Sequence, residues 1–157
     1  MNCPDKSLYI KTMQAFSAAQ VRYVVIGTFG LLLHGFIADD YVVNDCDVLL
    51  GVGEENLRGA WEVLAGAGWQ TFLWEQQLNS FPSANELKGK YYIRARKANA
   101  SIDLCFEYDD VNAEQWLERK EQFNQVFVAN SEDIIGLKRK NDREKDRLVL
   151  AKLKQVC

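Results

Sequence analysis

Two apolar runs between Val21 and Gly53 each meet a polar signature at one end, and the rest of the chain is arranged around them. Val21 to Ile26 has the pattern of a buried strand. Gly27-Thr28 then turns the chain into a helix with Thr28 as the expected N-cap, Phe29 to Leu33 as its apolar body and His34-Gly35 as its end. Gly35 suits the left-handed conformation that closes many helices. The second run, Val48-Leu49-Leu50, lacks alternation, as expected of a strand covered on both faces, and follows directly on Asp45-Cys46-Asp47.

Periodicity places the flanking elements. Leu8, Tyr9, Met13 and Phe16 recur at helical spacing within Asp5 to Ala19, and Leu57, Trp61 and Leu64 do so within Glu54 to Ala65, a helix ended by Gly66 and Gly68. Trp69 to Trp74 is a predicted strand. Glu75 to Glu86, with Asn79, Ser80, Pro82, Ser83 and Asn85, is a predicted loop that borders the cleft. Tyr91 to Lys97 and Ser101 to Phe106 form an antiparallel hairpin about Ala98-Asn99. On it Asp103 shares a face with Ser101 and Cys105. On its first strand Tyr92, Arg94 and Arg96 share a face, read as a solvated surface in preference to the wall of an anionic substrate site. Asp110 to Lys120 is a predicted helix with Val111 and Trp116 toward the core, Val126 to Val128 a predicted edge strand, and Ser131 the predicted cap of a last helix opening with Glu132 and Asp133.

Composition narrows the class. A chain of 157 residues, 48% hydrophobic, suits one domain with a sizeable core. Its net charge of −3 makes no demand for nucleic acid, although an enzyme can grip one RNA end locally. Cys3, Cys46, Cys105 and Cys157 are scattered without a C-x-x-C, as in reduced cytosolic proteins. No signal-peptide layout opens the sequence, and no apolar run approaches the roughly 18 residues of a membrane span. The expectation is a cytoplasmic protein that does not enter the membrane.

The chemistry sits in the two polar signatures. In an extended chain Asp45 and Asp47 project to one side and Cys46 to the other. Two carboxylates at the mouth of a buried strand repel each other and lose hydration, which raises a pKa or calls for a hard divalent cation. A strand that passes through a Gly turn into a helix presents free backbone N–H groups to an anion. Together they suggest a metal-bound triphosphate. His34, the only histidine, is placed late in its helix and is assigned packing or capping. Lys138 to Lys154 has the charge pattern of a solvated helix, with Asp142 paired to Arg139 or Lys145 and Glu144 to Lys140.

These residues resemble a known family. Gly27-Thr28-x-Gly30 with His34-Gly35, followed by Asp45-x-Asp47 on a hydrophobic strand, is similar to the nucleotidyltransferase superfamily of polymerase beta-like fold, and within it to the small AbiEii-type and minimal nucleotidyltransferases. Ser101-Ile102-Asp103-Leu104 resembles the strand that carries the third carboxylate. Ser131 to Leu153 resembles the AbiEii-type tail and offers Lys138, Arg143, Lys145 and Asp146. The family often has an Arg and a Thr before the Asp pair, where this chain has Tyr41 and Val43.

The resemblance implies an α/β (α+β) fold with a short mixed, largely antiparallel sheet and helices packed against it, forming one domain over residues 1–157 with a core at about 21–106 and a helical tail at 131–155. It implies Mg²⁺ or Mn²⁺ at Asp45, Asp47 and Asp103, phosphates at Gly27 and Thr28, charge neutralisation by Lys138 and more weakly Arg143, and NMP transfer from an NTP to an RNA end, a protein or a small molecule. Two alternatives stay open: a binding module that keeps the fold without turnover, and an antibiotic-modifying enzyme. Some members of the family pair with an antitoxin protein.

Overall fold

The structure is a computed structural model that describes residues 5–153. Cys3, Cys157 and the last two residues of the expected 131–155 tail lie outside that range. Eight strands among the described residues form one sheet: β1 Tyr23–Ile26, β2 Cys46–Leu50, β3 Gln70–Leu73, β4 Gln76–Leu78, β5 Tyr92–Lys97, β6 Ala100–Cys105, β7 Glu121–Phe123 and β8 Val126–Val128. Their spatial order is β4-β3-β5-β6-β2-β1-β8-β7. Only β2 with β6 and β1 with β8 run parallel; the other neighbours are antiparallel. Among the described residues seven helices accompany the sheet: α1 Lys6–Ala18, α2 Gly27–Leu33, α3 Glu54–Gly66, α4 Ala84–Leu87, α5 Ala113–Glu118, α6 Ser131–Asn141 and α7 Glu144–Ala151. This is the mixed, largely antiparallel architecture expected.

Alternation decides which face of the sheet is covered. Ile93, Ala95, Ile102 and Leu104 are fully buried, while Tyr92, Arg94, Ser101, Asp103 and Cys105 between them are only partly covered. The core is completed by Tyr9, Met13 and Phe16 of α1, Leu57, Ala60 and Leu64 of α3, and Trp116 of α5. Burial of such side chains, at about 1.5–3 kcal/mol each, supplies most of the drive to fold. Helix α2 ends as expected: Gly35 has φ +81° and donates to Leu32 O, and Phe36 N donates to Leu31 O, a Schellman closure. No helix among the described residues is long and apolar enough to cross a membrane.

Several local expectations are corrected. The 75–86 stretch is not all loop, for it holds β4 and the one-turn α4, whose cap Ser83 forms a reciprocal capping box with Glu86. Val126–Val128 is not an edge strand. It lies between β1 and β7, and β7 takes the edge through a two-residue turn in which Asn124 and Gln125 both have positive φ. Asn130, not Ser131, caps α6 and accepts from Glu132 N. The tail is two helices, because Asp142 adopts a left-handed conformation (φ +49°) and ends α6. That break removes the helical spacing on which the expected ion pairs depend. Asp142 instead meets Arg147 at 3.2 Å, and Lys140 meets Asp110 at 3.2 Å.

Candidate functional site

The site begins in the strand register. Ile26 stands opposite Asp47 across β1 and β2, and Asp47 stands opposite Asp103 across β2 and β6. Cys46, between the two β2-side carboxylates, points into the core and is fully buried, so Asp45 and Asp47 share the open side as their spacing required. One oxygen from each of Asp45, Asp47 and Asp103 lies within 4.8 Å of the others. Tyr9 fixes the two chain segments that bring them together: its hydroxyl donates to Asn44 O at 3.3 Å and accepts from Ser101 N at 3.0 Å. Burial pushes that phenol up to about 12, so it stays a neutral tie.

Packed this closely, the carboxylates perturb one another. The Asp47 carboxyl is pushed up to about 7, first by burial and then by the charges of Asp45 and Asp103, with Lys145 and Lys138 opposing. Burial raises the thiols of Cys46 and Cys105 as well, which keeps both protonated and unreactive.

Arg94 belongs to this cluster, a correction to its reading as solvated strand surface. Its Nε donates to Asp103 Oδ1 at 2.7 Å and its Nη2 to Asp103 Oδ2 at 3.0 Å, a two-pronged contact that raises the guanidinium above its ordinary value. The signal was in the sequence. In a two-residue hairpin about Ala98 and Asn99, counting outward from Lys97 and Ala100 sets Arg94 opposite Asp103.

The opposite wall comes from α2, α6 and α7. Gly27 has φ +69°, and a Cβ there would meet Asp47 Oδ2 at 2.9 Å, so both its backbone and its empty side are required for the carboxylate to pass. Thr28 is not the N-cap: Ile26 holds that position without a side-chain bond, and the Thr28 hydroxyl accepts from Lys138 Nζ at 3.1 Å. Lys138 is 8% exposed, while its neighbour Arg139 faces solvent. The ammonium reaches Asp146 Oδ1 at 3.5 Å, and burial lowers its pKa against the pull of Asp146. Asp146, fully buried, also takes Arg143 Nε at 2.8 Å and Arg143 N at 3.2 Å. Burial opposes ionisation of Asp146, and the Arg143 bonds outweigh it, holding the carboxyl below its ordinary value.

Two recesses meet over the carboxylates. One, of about 230 Å³, is lined by Thr28, Tyr41, Asn44, Val149 and the residues common to both. The other, of about 390 Å³, adds Gly27, Tyr92, Arg94, Asp103, Tyr108 and Asn141. Common to both are Asp45, Asp47, Lys138, Arg143 and Lys145. Three carboxylates thus face three cations across a narrow cleft. The donor set is all oxygen, without imidazole or thiolate, and suits a hard divalent cation. The Arg94 fork does not exclude that use, since each carboxylate oxygen has a second lone pair.

No family model matches the sequence, and no curated protein matches it. The fold does have solved counterparts. TM1012 of Thermotoga maritima, a candidate nucleotidyltransferase, superposes with a TM-score of 0.60 at 14% identity over 94% of this chain and 90% of its own. ANT(2″)-Ia, solved in complex with adenylyl-2″-tobramycin, superposes with a TM-score of 0.57 at 12% identity over 87% of this chain and 75% of its own. The chain therefore has the nucleotidyltransferase fold.

Proposed function

We propose that this chain binds a nucleoside triphosphate together with Mg²⁺ or Mn²⁺ and transfers the nucleoside monophosphate to an acceptor hydroxyl, releasing pyrophosphate. The observation that supports this most is the set of three carboxylate oxygens within 4.8 Å of one another, in a cleft whose far wall holds the buried Lys138. A divalent cation held by Asp45, Asp47 and Asp103 would stabilise the attacking and leaving oxygens of an in-line displacement. Lys138, fixed by Thr28 and Asp146, neutralises the phosphates from the α2 side, with Lys145 and Arg143 beside it. Gly27 leaves room for the Asp47 carboxylate, and the phosphates would lie against the Gly27-Thr28 turn. As the new O–P bond forms at the α-phosphorus, the bond to the β-phosphate breaks and pyrophosphate departs with the electron pair. The acceptor proton passes to Asp103, whose orientation Arg94 sets.

Calorimetric titration of each NTP, with and without Mg²⁺, tests the reading. Binding that needs the cation and disappears in Asp45→Asn supports it. Binding that is equal in chelator favours a nucleotide-binding module without turnover. No binding of any NTP overturns both.

A further inference from the structure

The row that carries the carboxylates continues beyond them. Asp47 stands beside Asp103, Asp103 beside Arg94, Arg94 beside Phe72 and Phe72 beside Gln77, one residue from each of five successive strands. Cross-strand partners project to the same face, so the catalytic cleft opens sideways onto the β5-β3-β4 end of the sheet. There the surface falls into a cleft of about 1010 Å³, which shares Tyr92 and Arg94 with the carboxylate recess.

Its chemistry is basic and aromatic in a chain whose net charge is −3. Lys88, Lys90 and Arg96 line it, and among the described residues none of them has a carboxylate partner. Each of three rings carries a cation: Lys90 lies 3.7 Å from the Trp74 ring centre, Arg94 5.4 Å from that of Tyr92, and Arg96 5.6 Å from that of Phe72. The opposing carboxylates are Glu75 and Glu86, and Glu86 is engaged with Ser83 N. Trp74 is the most telling of these residues. It is half exposed and sits at φ +57°, a strained conformation for a bulky side chain that core packing does not compensate.

Interleaved rings and cations without carboxylate partners match a strand of unpaired nucleotides, whose bases would take the ring faces while the cations move to the phosphates. We infer that this face docks a single-stranded polynucleotide, with bases on Phe72 and Trp74, phosphates at Lys88, Lys90 and Arg96, and its terminal sugar hydroxyl delivered along the row to Asp103. The delivery of that hydroxyl rests on the proposed transfer reaction; the docking does not. A duplex hides its base faces and fits less well, and a polycationic acceptor such as an aminoglycoside is repelled.

Fluorescence anisotropy with a labelled single strand of about 12 nucleotides, as RNA and as DNA of the same sequence, tests the docking without nucleotide or metal. The wild type binds the single strands more tightly than the matching duplex, and binding weakens with salt. Arg96→Glu with Lys88→Glu abolishes it. Trp74→Ala reduces it about tenfold, the loss of one stacked base. A higher affinity for the RNA strand assigns the contact to the 2′-hydroxyl, and equal affinities assign it to bases and phosphates; both outcomes support docking. No binding by the folded wild type, or binding that survives the charge reversals, overturns the inference. Charge-sensitive binding indifferent to Trp74→Ala also overturns it, in favour of an acidic protein or other polyanion. Cation-dependent NTP binding in the charge-reversed variant shows that the nucleotide site survives a failure here. Oligonucleotide binding without any NTP binding would show the reverse.

Discussion

Lys138 and Arg139 are neighbours with opposite environments, and that contrast isolates what the buried charge does. Lys138 is held between Thr28 and Asp146 beside the carboxylates, whereas Arg139 stands in solvent. Calorimetry should show Lys138→Ala losing about 1.5–3 kcal/mol of NTP binding, the range of a charge-assisted contact, with Arg139→Ala unchanged. Equal effects would take Lys138 out of the site. Gly27 and Gly35 make a second matched pair. Both have positive φ, at +69° and +81°, but only at Gly27 would a Cβ meet the Asp47 carboxylate; nothing lies within 4 Å at Gly35. Either change to Ala should lower stability by about 1–2 kcal/mol through backbone strain. Only Gly27→Ala should also weaken Mn²⁺ binding, read by the paramagnetic resonance of the free ion.

Elements show where the sequence was readable and where it was not. The Asp45 to Leu50 strand, the Ala98-Asn99 hairpin, α1 and α3 were legible because each spans enough residues to display a period of two or of 3.6. Strands β4 and β7, at three residues each, display none. Their turns gave no warning either, since positive φ falls on Trp74, Asn124 and Gln125 in place of glycine. The α6–α7 break was hidden for the same reason, its left-handed residue being Asp142. Arg94 was hidden only by reading one strand at a time. Tyr9 lies 35 residues from Asn44 and 92 from Ser101, a connection no local pattern reveals. The α6–α7 junction carries its own prediction. Asp146 is buried and ties Lys138 of α6 to Arg143 at the start of α7, so Asp146→Ala strands a buried cation. Urea unfolding should register a loss of about 3–5 kcal/mol. A loss below about 1 kcal/mol would mean that the junction is held by its apolar contacts alone.

For the whole molecule, the raised Asp47 carboxyl couples stability to pH, and a cation on the proposed site would act on the same titration. An ordinary Asp near 3.8 in the unfolded chain becomes one near 7 at Asp47 in the folded chain, so the folded state binds the proton more tightly. Below the unfolded value both states are protonated and nothing is lost; between the two values the folded state is progressively disfavoured; above about 7 the penalty is complete, on the order of 2–4 kcal/mol. In chelator, the melting temperature should therefore fall as pH rises from about 5 to 8, against the trend of the depressed Asp146 carboxyl, whose contribution is already complete there. Asp47→Asn removes the titrating group. It should flatten that fall and exceed the wild type in stability at about pH 8. A divalent cation bound at the proposed site would displace the same proton, so Mg²⁺ should stabilise the wild type increasingly across this interval, and its affinity should rise by up to about tenfold per pH unit before levelling above about 7. In Asp47→Asn the cation effect should be weak and independent of pH. Melting curves with and without Mg²⁺ that stay parallel in both proteins across this range would show that Asp47 neither carries the proton nor meets the metal.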